Sequence, residues 1–132
     1  MPNQHPNVAT YARLIQAYNA GDMETVSQCM RDDVVYHVPG KGEFAGDYVG
    51  IKAFGQMLDK IKAATGGTMK HQPLHILADD QAVMVYSHVT GARNGKRFDG
   101  DLAYLFRFDT DGKIVEGRTI PVDLYAFDDF TM

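Results

Sequence analysis

The 132-residue chain carries 13 Lys+Arg against 17 Asp+Glu, a formal charge of -4, and is 45% apolar. Both signs are scattered with no block of like charge, which argues against a nucleic-acid partner because phosphate binding needs clustered cations. Apolar runs are short and the opening "MPNQHPN" is polar, so neither a membrane span nor a signal peptide is expected, and a cytoplasmic location follows.

The chain is long enough for a single core, so 1–132 reads as one domain with 1–6 as a polar tail. Val8, Tyr11, Leu14, Ile15 and Tyr18 recur at helical spacing, with Asn7 placed to cap the start and Gly21 to end it. Asp22 is placed to cap a second, shorter helix through Met23, Val26 and Met30. Cys29, the one cysteine, excludes an internal disulfide and reads as a small buried hydrophobe. Val34, Val35, Tyr36 and Val38 form a β-rich run stopped by Pro39 and Gly40. A glycine-spaced loop then feeds a third helix, through Ile51, Phe54, Leu58 and Ile61, that "TGG" closes.

From Thr68 the pattern becomes strands separated by turn chemistry: Asp79-Asp80, the type I′ pair Asn94-Gly95, and "DTDG" at 109–112. Helices followed by a meander predict an α+β fold, with helices on one face of a curved antiparallel sheet. Alternation sends Ala82, Met84 and Tyr86 one way and Val83, Val85 and Val89 the other; Leu102, Tyr104 and Phe106 oppose Ala103 and Leu105. A sheet apolar on both faces needs two covers, which predicts a homodimer through the outer face, with Val85 as an outward residue. A strand or helix from "DLYAFDDFTM" is the rival cover.

That element order, together with "YNAGDMETV", "DDVVYHVPG", "FAGDYVGIKAF", "FRFDTDGKIVE" and "VDLYAFDDF", resembles the NTF2-like superfamily in its SnoaL-like and ketosteroid-isomerase-like branch. The resemblance implies a cone-shaped sheet that, with three helices, encloses a deep apolar pocket (a cystatin-like α+β roll), commonly dimeric through the sheet's outer face. Members include isomerases, polyketide cyclases, dehydratases and epoxide hydrolases, alongside non-catalytic ligand-binding proteins. In the steroid isomerases a carboxylate base precedes the proline that ends the first strand; here that residue is Val38. Their phenolic donor aligns with Leu14 and their protonated aspartate with Tyr104. Valine accepts no proton and leucine donates none, so authentic 3-ketosteroid isomerisation is not expected.

The pocket is expected to be lined by Leu14, Tyr18, Tyr36 and Val38, with Tyr104 either donating to a carbonyl or bonded to backbone in a filled core. His37 stands beside the base position: it is a pocket base if the strand loses regularity before Pro39, and packed or interfacial if alternation holds. Asp123 lies near where the family's polyketide cyclases carry an acidic base, and equally suits a helix cap. Asp101 and Arg118 are placed to pair with each other; Arg118 is also placed to pair with Glu116 or to recognise a carboxylate or enolate. His88, with Tyr86 on the same strand face, is a further pocket candidate.

His71 and His75 flank Pro73 in extended chain, where positions four apart lie roughly 13 Å from one another, too far for one ion. With no CxxC, HExxH or calcium-loop spacing, no metal or other cofactor is expected, and "GKG" at 40–42 lacks the rest of a phosphate loop. The expected function is binding of a small apolar or amphipathic molecule bearing a carbonyl or carboxylate. Catalysis, where present, is cofactor-independent proton transfer of isomerase, cyclase or dehydratase type; a ligand carrier or dimeric interaction module is the alternative.

Overall fold

A computed structural model describes residues 5–132, so residues 1–4 of the expected polar tail lie outside it, and Pro6 already opens helix α1 (Pro6–Ala20). His5, not Asn7, caps that helix, its Nδ1 accepting from the Asn7 amide at 3.1 Å. Asn7 is instead buried and donates through Nδ2 to the carbonyls of Asp79 and Asp80 at 3.1 and 3.3 Å, tying the helix start to a distant turn. Asp22 caps α2 (Met23–Cys29), accepting from the Thr25 amide at 3.1 Å. Cys29 ends that helix fully buried, and burial pushes its thiol up.

Strand β1 (Met30–Val38) begins four residues before the apolar run that announces it, and the glycine-spaced loop holds a short strand, β2 (Gly46–Val49). Three of the four β2 residues are exposed, so no apolar alternation marks it; pairing with β1 from Val35↔Val49 to Val38↔Gly46 creates it. Then follow α3 (Ile51–Ala64), β3 (Lys70–Ala78), β4 (Ala82–Arg93), β5 (Lys96–Phe108), β6 (Ile114–Pro121) and α4 (Leu124–Thr131). The tail is therefore a helix, and four helices stand where three were expected.

The six strands form one curved, open sheet in the order β2-β1-β6-β5-β4-β3. The expected meander is present in β3 to β6, but β1 runs parallel to β6, so the sheet is mixed and not wholly antiparallel. The long crossover between β1 and β6 permits this, whereas the short hairpin turns enforce antiparallel neighbours. At the Asn94-Gly95 turn both residues take positive φ, +50° and +76°, as a type I′ hairpin requires. Asp79 Oδ1 accepts from the amides of Gln81 and Ala82 at 2.8 and 2.9 Å, and Asp109 Oδ1 accepts from those of Asp111 and Lys113, both at 2.9 Å.

Alternation holds along β4, but with the inside and outside reversed from the expectation for Val85. Val83, Val85, Ser87 and Val89 are buried under the helices, while Met84, Tyr86 and His88 face the other way. Val85 pairs with Tyr104, which shares this inner face with Leu102 and Phe106. The core is closed by Leu14 and Ala17 of α1, Phe54 and Met57 of α3, and Phe127 and Phe130 of α4.

Candidate functional site

Three tyrosines and a histidine meet on the inner face. Tyr36 on β1 lies opposite Gly117 on β6, and Tyr104 on β5 lies between Val85 and Thr119. Gly117 opens the space: a Cβ there would stand 2.7 Å from Tyr36 Cδ1 and 3.0 Å from Phe106 Cδ1. The Tyr36 hydroxyl and Thr119 Oγ1 share a hydrogen bond of 2.6 Å in the buried interior. Tyr11 comes from α1, one turn before Leu14 on the same stripe, with its ring 5.2 Å from that of Phe106. His71 comes from β3, its ring centroid 5.9 Å from that of Tyr104.

The electrostatics of this group follow from enclosure. Desolvation holds the phenols of Tyr104, Tyr36 and Tyr11 above the ordinary value, with Tyr36 and Tyr11 adding to the shift of Tyr104. Desolvation holds the His71 imidazole below its ordinary value, yet the residue keeps accessible surface. The group is therefore crowded yet in part accessible. At neutral pH it presents protonated phenols, which donate, and a neutral imidazole, which accepts a proton. The Tyr104 hydroxyl makes no hydrogen bond to any described residue.

His71 was legible in the sequence only as half of a rejected metal pair. A register shift between Pro73 and His75 decides its direction: His71 pairs with inward Val89, while His75 pairs with outward Tyr86. Regular alternation would have put both histidines on one face. Tyr11 and Thr119 carried signals too, as a member of the inward helical stripe and as the inward neighbour of Arg118, but neither signal indicated convergence.

The other expected site residues lie elsewhere. His37 points to the outer face, where Nδ1 meets Asp47 Oδ1 at 2.6 Å and Nε2 meets Glu116 Oε2 at 2.8 Å. Those two bonds, Asp47's first, hold its imidazole above the ordinary value, and alternation thus persists to the strand's end. Asp101 does not pair with Arg118: it bonds His88 Nδ1 and the Tyr86 hydroxyl, both at 2.8 Å, on the outer face. His88 is thereby removed from the inner face, and its Nε2 reaches Asp99 at 2.8 Å. Arg118 is also outward, 3.5 Å from Glu116 Oε2. Asp123 is exposed and caps α4, accepting from the Ala126 amide at 3.1 Å. Leu14 and Val38 are buried core residues, and Tyr18 donates to Asp59 at 2.5 Å between α1 and α3.

Among the described residues no group of three or more His, Cys, Asp or Glu is arranged to hold a metal ion, and no helix is long and apolar enough to cross a membrane. The inward strand positions carry no carboxylate.

The SnoaL-like domain family matches residues 11–117, which includes all four members of the tyrosine–histidine group and the glycine that makes room for it. The chain belongs to the SnoaL-like family. Rv0034 of Mycobacterium tuberculosis, itself uncharacterised, is 34% identical over 89 residues, covering 66% of this chain and 67% of the relative. Bal32a, from a soil-derived mobile gene cassette, is 35% identical with a TM-score of 0.84 and covers 96% of both chains. IdmH of Streptomyces antibioticus, a polyketide cyclase candidate, shares the NTF2-like fold with a TM-score of 0.68 at 24% identity, over 97% of this chain and 96% of its own.

Proposed function

We propose that this SnoaL-like protein binds a small, mostly apolar molecule through a carbonyl, in the recess lined by Tyr104, Tyr11 and His71. The observation that carries this reading is the Tyr104 hydroxyl, a protonated phenol among apolar neighbours with no hydrogen bond to a described residue. Tyr104 is partly accessible, so a ligand carbonyl can take the place of water as the partner of its hydroxyl. Beside it, a neutral His71 suits proton abstraction next to that carbonyl, with the phenol stabilising the enolate oxygen. The reaction class is cofactor-independent proton transfer, as in isomerisation or aldol-type cyclisation; the likeness to IdmH supports that direction.

The test uses acetophenone against ethylbenzene. Tyr104→Phe is expected to weaken the ketone roughly ten-fold while leaving the hydrocarbon unchanged, measured by titration of backbone amide signals. Exchange of the ketone's methyl protons in heavy water, followed by NMR, should exceed buffer and be lost in His71→Gln. Equal affinities of the parent and Tyr104→Phe for acetophenone would sink the carbonyl reading. Ketone binding without exchange supports the carrier alternative, which the absence of an inward carboxylate favours.

A further inference from the structure

We propose a second binding site, for an amphipathic monocarboxylate, in the cleft where β1 and β6 part. The last pair joining these parallel strands is His37↔Arg118. Beyond it β1 turns away at Pro39 and β6 runs on to Pro121, leaving a cleft of about 470 Å³ between them and the start of α4. Its walls divide by chemistry. Arg118, His37 and the carboxylate Asp47 supply its charged groups, and Ile120, Pro121 and Leu124 apolar ones. Ile120 and Leu124 are 37% and 42% exposed, and Val122 and Tyr125 continue the apolar surface around the rim at 63% and 89%. Such a run of exposed apolar residues beside a cation is the complement of a carboxylate on an apolar body.

Arg118 is the available cation. Its side chain is 46% exposed, and its ion-pair contact is the 3.5 Å approach to Glu116 Oε2, while it makes no hydrogen bond to a described residue. The nearby carboxylates are already engaged: Asp47 by His37 at 2.6 Å, and Glu116 by His37 at 2.8 Å and by Arg107 at 2.6 Å. Both imidazole nitrogens face carboxylates, which calls for the imidazolium form. The three cations His37, Arg107 and Arg118 then outnumber Asp47 and Glu116, leaving the guanidinium fork of Arg118 free to take a carboxylate through two parallel hydrogen bonds. The charged wall of this cleft, Arg118 and His37, belongs to the outer sheet face, opposite to that of Tyr104, while Val38 and Thr119 close the cleft from the inner side.

Phenylacetate and its neutral isostere phenylacetamide test the assignment by amide-signal titration of the full chain. Phenylacetate is expected to shift the signals of residues 118–124 and of His37 and Asp47, and phenylacetamide to leave them in place. Arg118→Gln, a substitution at an exposed position, should weaken phenylacetate roughly ten-fold or more, Arg118→Lys should restore part of that loss, and Tyr104→Phe should change nothing here. Shifts confined to the surroundings of Tyr104 and His71, equal responses to acid and amide, or full binding by Arg118→Gln would each overturn the site. So would a dimer by light scattering in which neither probe moves the cleft signals, because a second copy would then be its occupant.

Discussion

Gly117 and the paired histidines show how single residues set the properties of the two sheet faces. Adding a methyl at Gly117 drives it into the rings of Tyr36 and Phe106, both held in the core. Overpacking of this kind costs about 1–3 kcal/mol, so Gly117→Ala should unfold at correspondingly lower denaturant; an unchanged midpoint would mean that the rings yield. His37 and His88 are held above their ordinary value by carboxylate bonds, Asp47 foremost for His37 and Asp101 for His88. Their stabilisation is complete below the unfolded value of about 6.5 and is lost as pH rises through the folded values. Melting temperature should therefore fall above pH 6.5, with His37→Gln flattening the slope. His71 acts with the opposite sign. Desolvation lowers its value, so the folded state loses stability as pH falls below about 6.5, where the unfolded chain binds the proton first. His71→Gln should remove that acid-side loss, and a melting profile identical to the parent's on both sides would contradict the assignment.

At the scale of elements, α4 is fixed at both ends. Asp123 caps its start, and three donors meet its last carbonyls: Arg93 to Phe130 at 3.4 Å, Lys96 to Asp129 at 2.7 Å and the Glu43 amide to Thr131 at 2.7 Å. Two cations at a helix C-terminus also complement its dipole. Phe127 and Phe130 pack on Phe98, with ring centroids 6.3 and 5.6 Å away, so the helix covers one end of the inner face. Loss of such a cap costs about 0.5–2 kcal/mol. Asp123→Ala is therefore expected to lower stability by that amount and to leave acetophenone affinity and proton exchange intact. Abolished exchange in a folded Asp123→Ala protein would give Asp123 the role of base after all.

For the whole molecule, the outer sheet face poses the question of cover. Met84, Leu105 and Ala103 form its apolar centre, flanked by the His88 ion-pair cluster, with the Arg118 cleft beyond its other edge. An apolar centre with a charged rim is the arrangement of a subunit interface, and a second copy is the expected cover. Light scattering at micromolar concentration should give twice the chain mass, and Leu105→Asp should halve it while the fold persists. Val85→Asp, by contrast, should unfold the chain, because Val85 lies in the core. No 3-ketosteroid isomerase turnover is expected. Val38 and Leu14 are buried hydrocarbon where that chemistry needs a base and a donor, and turnover of an enone steroid well above buffer would refute this.

The sequence by itself determined the first three helices, the β3–β6 meander and its turns, because periodicity and turn residues are local properties of the chain. Its motifs determined the family, and its missing carboxylate and phenol removed the steroid-isomerase chemistry. Tertiary structure decided what depends on pairing: the parallel β1–β6 contact, the exposed strand β2, and which side of each strand faces in. Val85 went inward because a sheet apolar on both faces gives alternation no sign until the helices choose a side. His71 turned to the inner face because a bulge at Pro73 broke the count, and His37 stayed outside because its strand kept alternation to the end. The convergence of Tyr11, Tyr36, Tyr104 and His71 joins four elements far apart in the chain, and only folding brings them together.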